Sequence, residues 1–443
     1  MTLRYVRSGA GGSANGTSWA NAYLTLGAAM TAAAAGDAIF VSEDHAESSS
    51  STQTFTSPGT TASPVLVTCV NHSGSVPPVS ADLRTTATVS TTGSGVINFA
   101  GDAIAYEGIT FTSGDTSTNA TMTLQGTTLN QSVKFKNCAL RLGNTNTNSR
   151  ITIIGSSGGG GSVEWENTTV QFANASQSIS LFGELIWKNT PSALTGATLP
   201  TTLFTFSSNR GNSVDMRGVD VSALGSGKTI FGASSSGIVA LQASMVDCKI
   251  DAAVTLCATP NGRGSGGLDY TRVDSGGTNY KHGRIRYAGT QTEETTIVRT
   301  GGASDGTTTI SWKIVTTANC NQYMPYESLP IAIWNDTVGS AVTATVQGIW
   351  GGGAVPNNDD IWGEVEYLGS SGSPLASFVN NGKADSLASN AGLSAGSGTW
   401  GGSTTKFQLA VTFTPQQKGW LFFRVKAAKA SSTFYIDPKI VLT

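Results

Sequence analysis

Short runs of alternating apolar and polar residues recur through the first 250 positions, and each run ends in a bend at Asn, Gly or another small residue. A period of two predicts a strand with one buried face. The runs are residues 105–111, 133–140, 163–170, 185–190, 213–221 and 245–250. Their pivots, Gly108, Asn137, Asn167, Asn189, Gly218 and Cys248, are separated by 29, 30, 22, 29 and 30 residues. Further apolar runs lie between them, at 122–124, 151–154, 179–182, 203–206, 229–231 and 238–241. Units of this length stack as the coils of a solenoid, and bends on Asn or Gly reach the left-handed turn region. At about 4.8 Å per coil, six to eight coils predict a rod of roughly 30 to 40 Å. Leucines are too few for a leucine-rich repeat, no helix alternates with the strands, and a propeller would need longer, more even units.

The chain opens differently. Tyr5-Val6 reads as a short strand, followed by a glycine-rich loop that ends at Trp19. Leu26, Ala29, Met30 and Ala33 then recur at helical spacing, Gly36-Asp37 stops the helix, and Ala38-Ile39-Phe40-Val41 is a strand. A short helix feeding a strand suits a cap, which a solenoid needs to cover its first coil and its unpaired edge. The series Tyr5-Val6, Asn15-Gly16-Thr17-Ser18-Trp19, Ala28-Ala29, Ala34-Ala35-Gly36-Asp37 and Ile39-Phe40-Val41 resembles the opening of pectate-lyase-like right-handed parallel β-helix proteins. That superfamily includes pectate lyases, polygalacturonases and phage tailspike depolymerases. The resemblance implies an N-terminal cap and first rung here.

The periodicity breaks around residues 260–267. Beyond Gly301-Gly302 the strands lengthen and carry more aromatics, at 309–315, 329–334, 341–346, 361–368, 406–413, 419–427 and 433–441. So many alternating strands in about 140 residues predict a β-sandwich. The expected organisation is a cap and first rung over 1–45, a parallel β-helix over 46–260, a transitional segment over 261–300 with one or two irregular coils, and a sandwich over 301–443.

Composition agrees with an all-β protein. Of 443 residues 54 are glycine, and only 12% are charged. Long exposed helices favour Glu, Lys and Arg, whereas stacked strands and tight turns favour small residues. The 26 basic and 28 acidic residues give a net charge of -2, so no polyanion is concentrated and neither nucleic acid nor membrane is an expected partner. Arg272, Lys281, His282, Arg284 and Arg286 gather locally, as a solvated loop would. Cys69, Cys138, Cys248, Cys257 and Cys320 are odd in number and far apart, which speaks against a disulfide framework and for small buried hydrophobes. The first residues hold no apolar run, so no classical leader is expected.

No constellation declares a catalytic site. Glycoside hydrolysis needs two carboxylates about 5 to 9.5 Å apart. Glu107, Glu164, Glu166, Asp215 and Asp247 line one coil face, but Lys134, Lys136, Lys188, Arg217 and Lys249 are interleaved with them, as on a solvated ladder. The patch Glu43-Asp44-His45-Ala46-Glu47 reads as a loop, and His45, His72 and His282 lack ligand spacing, so neither a metal nor a cofactor is expected. The glycine runs at 158–161 and 351–353 lack the Lys-Ser/Thr of a phosphate loop. Trp350, Trp362 and Trp400 are candidate partner or glycan contacts. These features lead us to expect a bacteriophage virion structural protein, either a capsid decoration or a head-fibre protein, which the resemblance would make a homotrimer. Its partners would be the major capsid protein or other virion proteins, and a host surface glycan. A tailspike-like depolymerase or lyase and a non-catalytic carbohydrate-binding adhesin are the alternatives.

Overall fold

The computed structural model describes residues 1–443 except 102, 126–131, 155–161, 207–210, 233–239, 259–264, 277–278, 289–290, 299–310, 322, 324, 329, 351–355, 358, 369–380, 386–392, 396–404 and 438. The fold is all-β, a parallel β-helix with an N-terminal cap followed by a β-sandwich. Two compact units are present. The first holds residues 1–268 and 272–278, and the second holds 269–271 and 279–443.

Three parallel sheets form the helical unit. Sheet I includes Leu3–Val6, Ala38–Ser42, Val65–Val70, Ile104–Glu107, Ser132–Lys136, Ser162–Glu166, Glu184–Thr190, Gly211–Val219 and Ala240–Val246. Sheet II runs from Ala46–Ser49 through Ile109–Ser113 and Ala139–Leu142 to Leu194–Thr195. Sheet III runs from Gln53–Thr56 through Met122–Gln125 and Arg150–Ile154 to Thr255–Cys257. Register is in phase throughout, so like residues stack. Val67, Tyr106, Phe135, Trp165, Trp187, Met216 and Met245 make one inward column of sheet I. All seven are buried. Tyr106 stacks on Phe135 at 5.2 Å, and Trp165 meets Trp187 edge-on at 5.1 Å.

A single left-handed residue follows sheet I in each of five successive coils. Gly108, Asn137 and Asn167 lead directly into sheet II, and Asn189 and Gly218 hold the equivalent place near the ends of their sheet I strands, all with positive φ. At Gly108 a Cβ would lie 2.0 Å from the Arg84 carbonyl oxygen, so no side chain fits. The asparagines add a ladder in which Asn167 Nδ2 donates to Asn137 Oδ1 at 2.7 Å and Asn137 Nδ2 donates to Glu107 Oε1 at 3.2 Å. The sixth pivot differs from expectation. Asp247, not Cys248, has the positive φ. Cys248 instead matches Cys138, one residue past the bend, where each thiol donates to a carbonyl of the preceding coil. Residues 240–241 open a sheet I strand and do not form a run of their own.

The cap holds the helix Leu26–Ala32, with Thr25 Oγ1 accepting from the Ala28 N–H at 3.3 Å and Glu47 Oε2 accepting from the Leu26 N–H at 2.8 Å. Trp19 packs edge-on against Tyr5 at 4.8 Å. Asp37 receives the Arg4 guanidinium at 2.8 Å and the Thr2 and Ala34 N–H groups.

In the second unit, Asn279–Ala288 and Gln291–Val298 form an antiparallel pair that continues into Ser311–Val315. Ser265–Ser275 pairs in parallel with Lys249–Ile250, as one further coil would, whereas a second coil is replaced by this hairpin. The alternation in this stretch belongs to a hairpin, and strand periodicity alone does not separate the two. One sandwich sheet combines these strands with Val342–Trp350, Thr405–Phe413, Thr433–Ile436 and short edges. The other combines Tyr326–Glu327, Ile331–Asn335, Ile361–Leu368, Asn381–Asp385 and Gly419–Ala427. Their inner faces share one core that includes Trp312, Ile314, Val346, Val365, Phe407, Leu409, Leu421, Phe423 and Phe434.

Candidate functional site

Acidic residues on the outer face of sheet I sit in cross-rung register with basic ones. One outward column reads Glu107, Lys136, Glu166, Lys188, Arg217, and its neighbour reads Lys134, Glu164, Ile186, Asp215. Lys136 Nζ lies 3.3 Å from Glu107, and Lys134 and Lys188 reach Glu164 at 3.1 and 3.6 Å. Arg217 holds Asp215 at 2.7 Å. Opposite charges on adjacent rungs attract, so this face ties coils together. Asp247 and Lys249 leave the ladder. The first sits on the bend and pairs with Arg272 at 2.5 Å, and the second pairs with Asp220 at 3.5 Å. The Arg272 guanidinium holds the Asp247 carboxyl below its ordinary range. Sheet III presents uncharged groups outward, namely Thr54, Asn98, Thr123, Thr152, Ser180 and Thr205 in one column.

The acid-rich patch after the first rung is not a simple solvated loop. His45 is buried, and its Nδ1 accepts the Ser8 N–H at 2.9 Å. That fixes the neutral tautomer with hydrogen on Nε2, which is 3.2 Å from Glu47 Oε2 but off the axis of a good hydrogen bond. Asp44 pairs with Arg7 at 2.7 Å and accepts from Ser42 Oγ at 2.5 Å. The Arg7 hydrogen bond leads the effects that hold its pKa down, to about 2. Glu43 accepts the His72 N–H at 2.7 Å. These contacts staple the first two rungs. Among the described residues no group of three or more His, Cys, Asp or Glu is arranged to hold a metal.

The thiols are quiet. No disulfide joins the five cysteines, and burial pushes Cys138 up to about 12 and Cys248 up to about 11, far from thiolate chemistry at neutral pH. Of the basic group named from sequence, Arg272 and Arg284 lie on strands and not in a loop, and Arg284 pairs with Asp269 at 2.8 Å.

The three tryptophans named as contacts are dispersed. Trp350 is half-buried, stacked on Phe434 at 5.9 Å, with Lys429 Nζ 5.8 Å from its ring centre. Trp362 is only 5% exposed. Trp400 lies outside the described residues. The exposed rings are others. Tyr323 is 88% exposed, while Trp334 is 50% exposed, Trp420 is 55% and Phe422 is 43%. Trp334 and Trp420 are direct cross-strand partners, with ring centres 5.5 Å apart and planes at 77°. One sequence signal pointed here. In Trp420-Leu421-Phe422-Phe423 successive side chains face opposite ways, so some of the aromatics must leave the core.

The aromatic strip ends in ion pairs on both sides. At one end Lys418 faces Asp336 at 3.9 Å. At the other, Arg424 contacts Glu366 at 3.1 Å, Glu327 at 3.4 Å and Glu364 at 3.8 Å. Lys426 bonds Glu327 at 2.8 Å and Glu364 at 3.1 Å.

No protein-family model matches the sequence, and no curated protein matches it. Among solved structures, the chain is similar to the enzymatically active domain of tailspike protein 4 of bacteriophage CBA120, with 11% identity and a TM-score of 0.25. The match covers 92% of this chain and 64% of that one, less than two thirds of the matched structure.

Proposed function

We propose that the chain is a structural component of a bacteriophage virion, a fibre or capsid-decorating protein that attaches to other virion proteins. The observation that carries this reading is the charge ladder of sheet I. Glu107, Glu164 and Asp215 are each bonded to a lysine or arginine on the same or an adjacent rung. A hydrolase keeps one carboxyl as acid and another as base or nucleophile, and that division calls for unlike environments. Here each is neutralised by a basic neighbour, Glu107 and Glu164 across rungs, where they serve coil-to-coil cohesion, and Asp215 within its own strand. The stacked aromatic column supports the same reading, because it stiffens the helical unit without disulfides.

The experiment is mass spectrometry of density-purified particles from the source. The reading expects this chain at a fixed ratio to the major capsid or tail proteins through successive gradients. Loss of the chain on purification overturns it. Release of reducing ends from host polysaccharide by purified protein would instead support the depolymerase alternative.

A further inference from the structure

We infer that the outer face of the sandwich sheet bearing Trp334, Trp420 and Phe422 binds an uncharged oligosaccharide. The register fixes the geometry. Gly419–Ala427 pairs antiparallel with Ile331–Asn335, placing Trp334 opposite Trp420 and Ala332 opposite Phe422. Leu421, Phe423 and Val425 point into the core, so Trp420 and Phe422 point away from it. Edge-on contact at 77° makes a corner of the two indoles, one ring face beside another ring's edge.

Three features select the ligand class. The first is size. Rings of this kind present about 150 to 250 Å² each, so three that are near half exposed offer roughly 300 Å². That is well short of the roughly 800 Å² per partner that a stable protein interface buries, yet within the range of a functional patch. The second is charge. Lys418 is matched by Asp336, and Arg424 and Lys426 are held by Glu327, Glu364 and Glu366, so the basic groups at the ends of the strip are already paired and offer no open cation to an acidic ligand. The third is layout. Lys418 to Arg424 spans roughly 20 Å of open strand, with the apolar rings central and the paired polar groups terminal. A sugar chain fits this arrangement, since its C–H faces stack on indole while its hydroxyls reach paired carboxylate and guanidinium groups.

The test is affinity electrophoresis of the full chain in gels containing dextran, galactomannan, glucomannan or xylan, with polygalacturonate as the acidic comparison. Hits would be titrated calorimetrically with the corresponding hexasaccharide. At least one neutral matrix is expected to retard the protein. Trp420→Ala and Trp334→Ala should each weaken binding by about tenfold or more, while Trp420→Phe keeps part of it. An unchanged circular dichroism spectrum and melting temperature would show that each variant folds. Failure of every neutral matrix overturns the inference, as does binding unaltered in both alanine variants. Retardation by polygalacturonate alone also overturns it. So does a fall in oligomeric state of Trp420→Ala by analytical ultracentrifugation, since that would make the strip a contact between copies of this chain. Particle association is read separately, so either proposal can fail without the other.

Discussion

The helical unit and the sandwich use the same residue types in opposite ways. In the helical unit Trp165 and Trp187 are fully buried in a column, and charged groups line the outer face of sheet I in matched rungs. In the sandwich two tryptophans stand outside, and a compact ionic network of Glu327, Glu364, Glu366, Arg424 and Lys426 lies beside them. The difference lies in what each sheet needs. A parallel coil repeats its neighbour, so any residue useful for stacking is useful in every rung, and the exterior is free to neutralise itself. An antiparallel sandwich closes its core with one face of each sheet, and part of the other face, at Trp334, Trp420 and Phe422, is exposed here.

The comparison is broken most readily at the aromatics. Trp187→Ala removes a buried ring and the hydrogen bond from its Nε1 to the Thr168 carbonyl oxygen. It should cost about 3 to 5 kcal/mol by denaturant unfolding. Trp420→Ala, on an exposed face, should stay within about 0.5 kcal/mol. Equal costs would erase the distinction between the units.

The bends come next in size. Asn167 has φ +45° and bonds Asn137. Asn167→Ala places an ordinary side chain in the left-handed region and breaks that rung of the ladder, for a loss of about 1 to 2 kcal/mol. Asn167→Gly should recover the backbone share only. If the two variants are equally destabilised, backbone conformation is not what the asparagine supplies.

A smaller effect is expected at the cap, where it depends on pH. The Asp44 carboxyl titrates at about 2 in the folded protein, below its ordinary value near 3.8. A lowered folded pKa means that the Arg7–Asp44 pairing stabilises in full above the ordinary value and is lost as pH falls toward 2. Hydrogen-exchange protection factors of residues 38–47 should therefore fall selectively between pH 4 and pH 2, and Asp44→Asn should remove that dependence. Protection that is flat across the window would contradict the pairing.

Smallest of all, Lys136→Met on the exposed ladder should change stability by less than about 1 kcal/mol. A larger loss would mean that the exterior charges hold the coils together more strongly than their exposure implies.

Much of the helical unit was legible because its bends use residues with a conformational reason to be there. Gly108, Asn137, Asn167, Asn189 and Gly218 all take positive φ. The register slipped by one at the last pivot because Asp247, a less usual left-handed residue, sits beside a cysteine whose place is inward. The strands Ala46–Ser49 and Gln53–Thr56 were not legible. Their outward positions are the small residues Ala46, Ser48, Thr54 and Thr56, and the inward-register position 47 is a glutamate committed to the cap. In the sandwich the strands were clear but their facing was not. Trp362 pairs with Lys426 and so shares the outer face with Trp420, yet Trp362 is buried and Trp420 is exposed, so the alternation along a strand does not by itself give burial.

The most direct measurement is cryo-electron microscopy of the particle that carries this chain. The account predicts density for the parallel coils and the sandwich at repeated positions on the capsid lattice or in a fibre. Particles that show neither, from preparations in which the chain is abundant, would contradict a structural role in the virion.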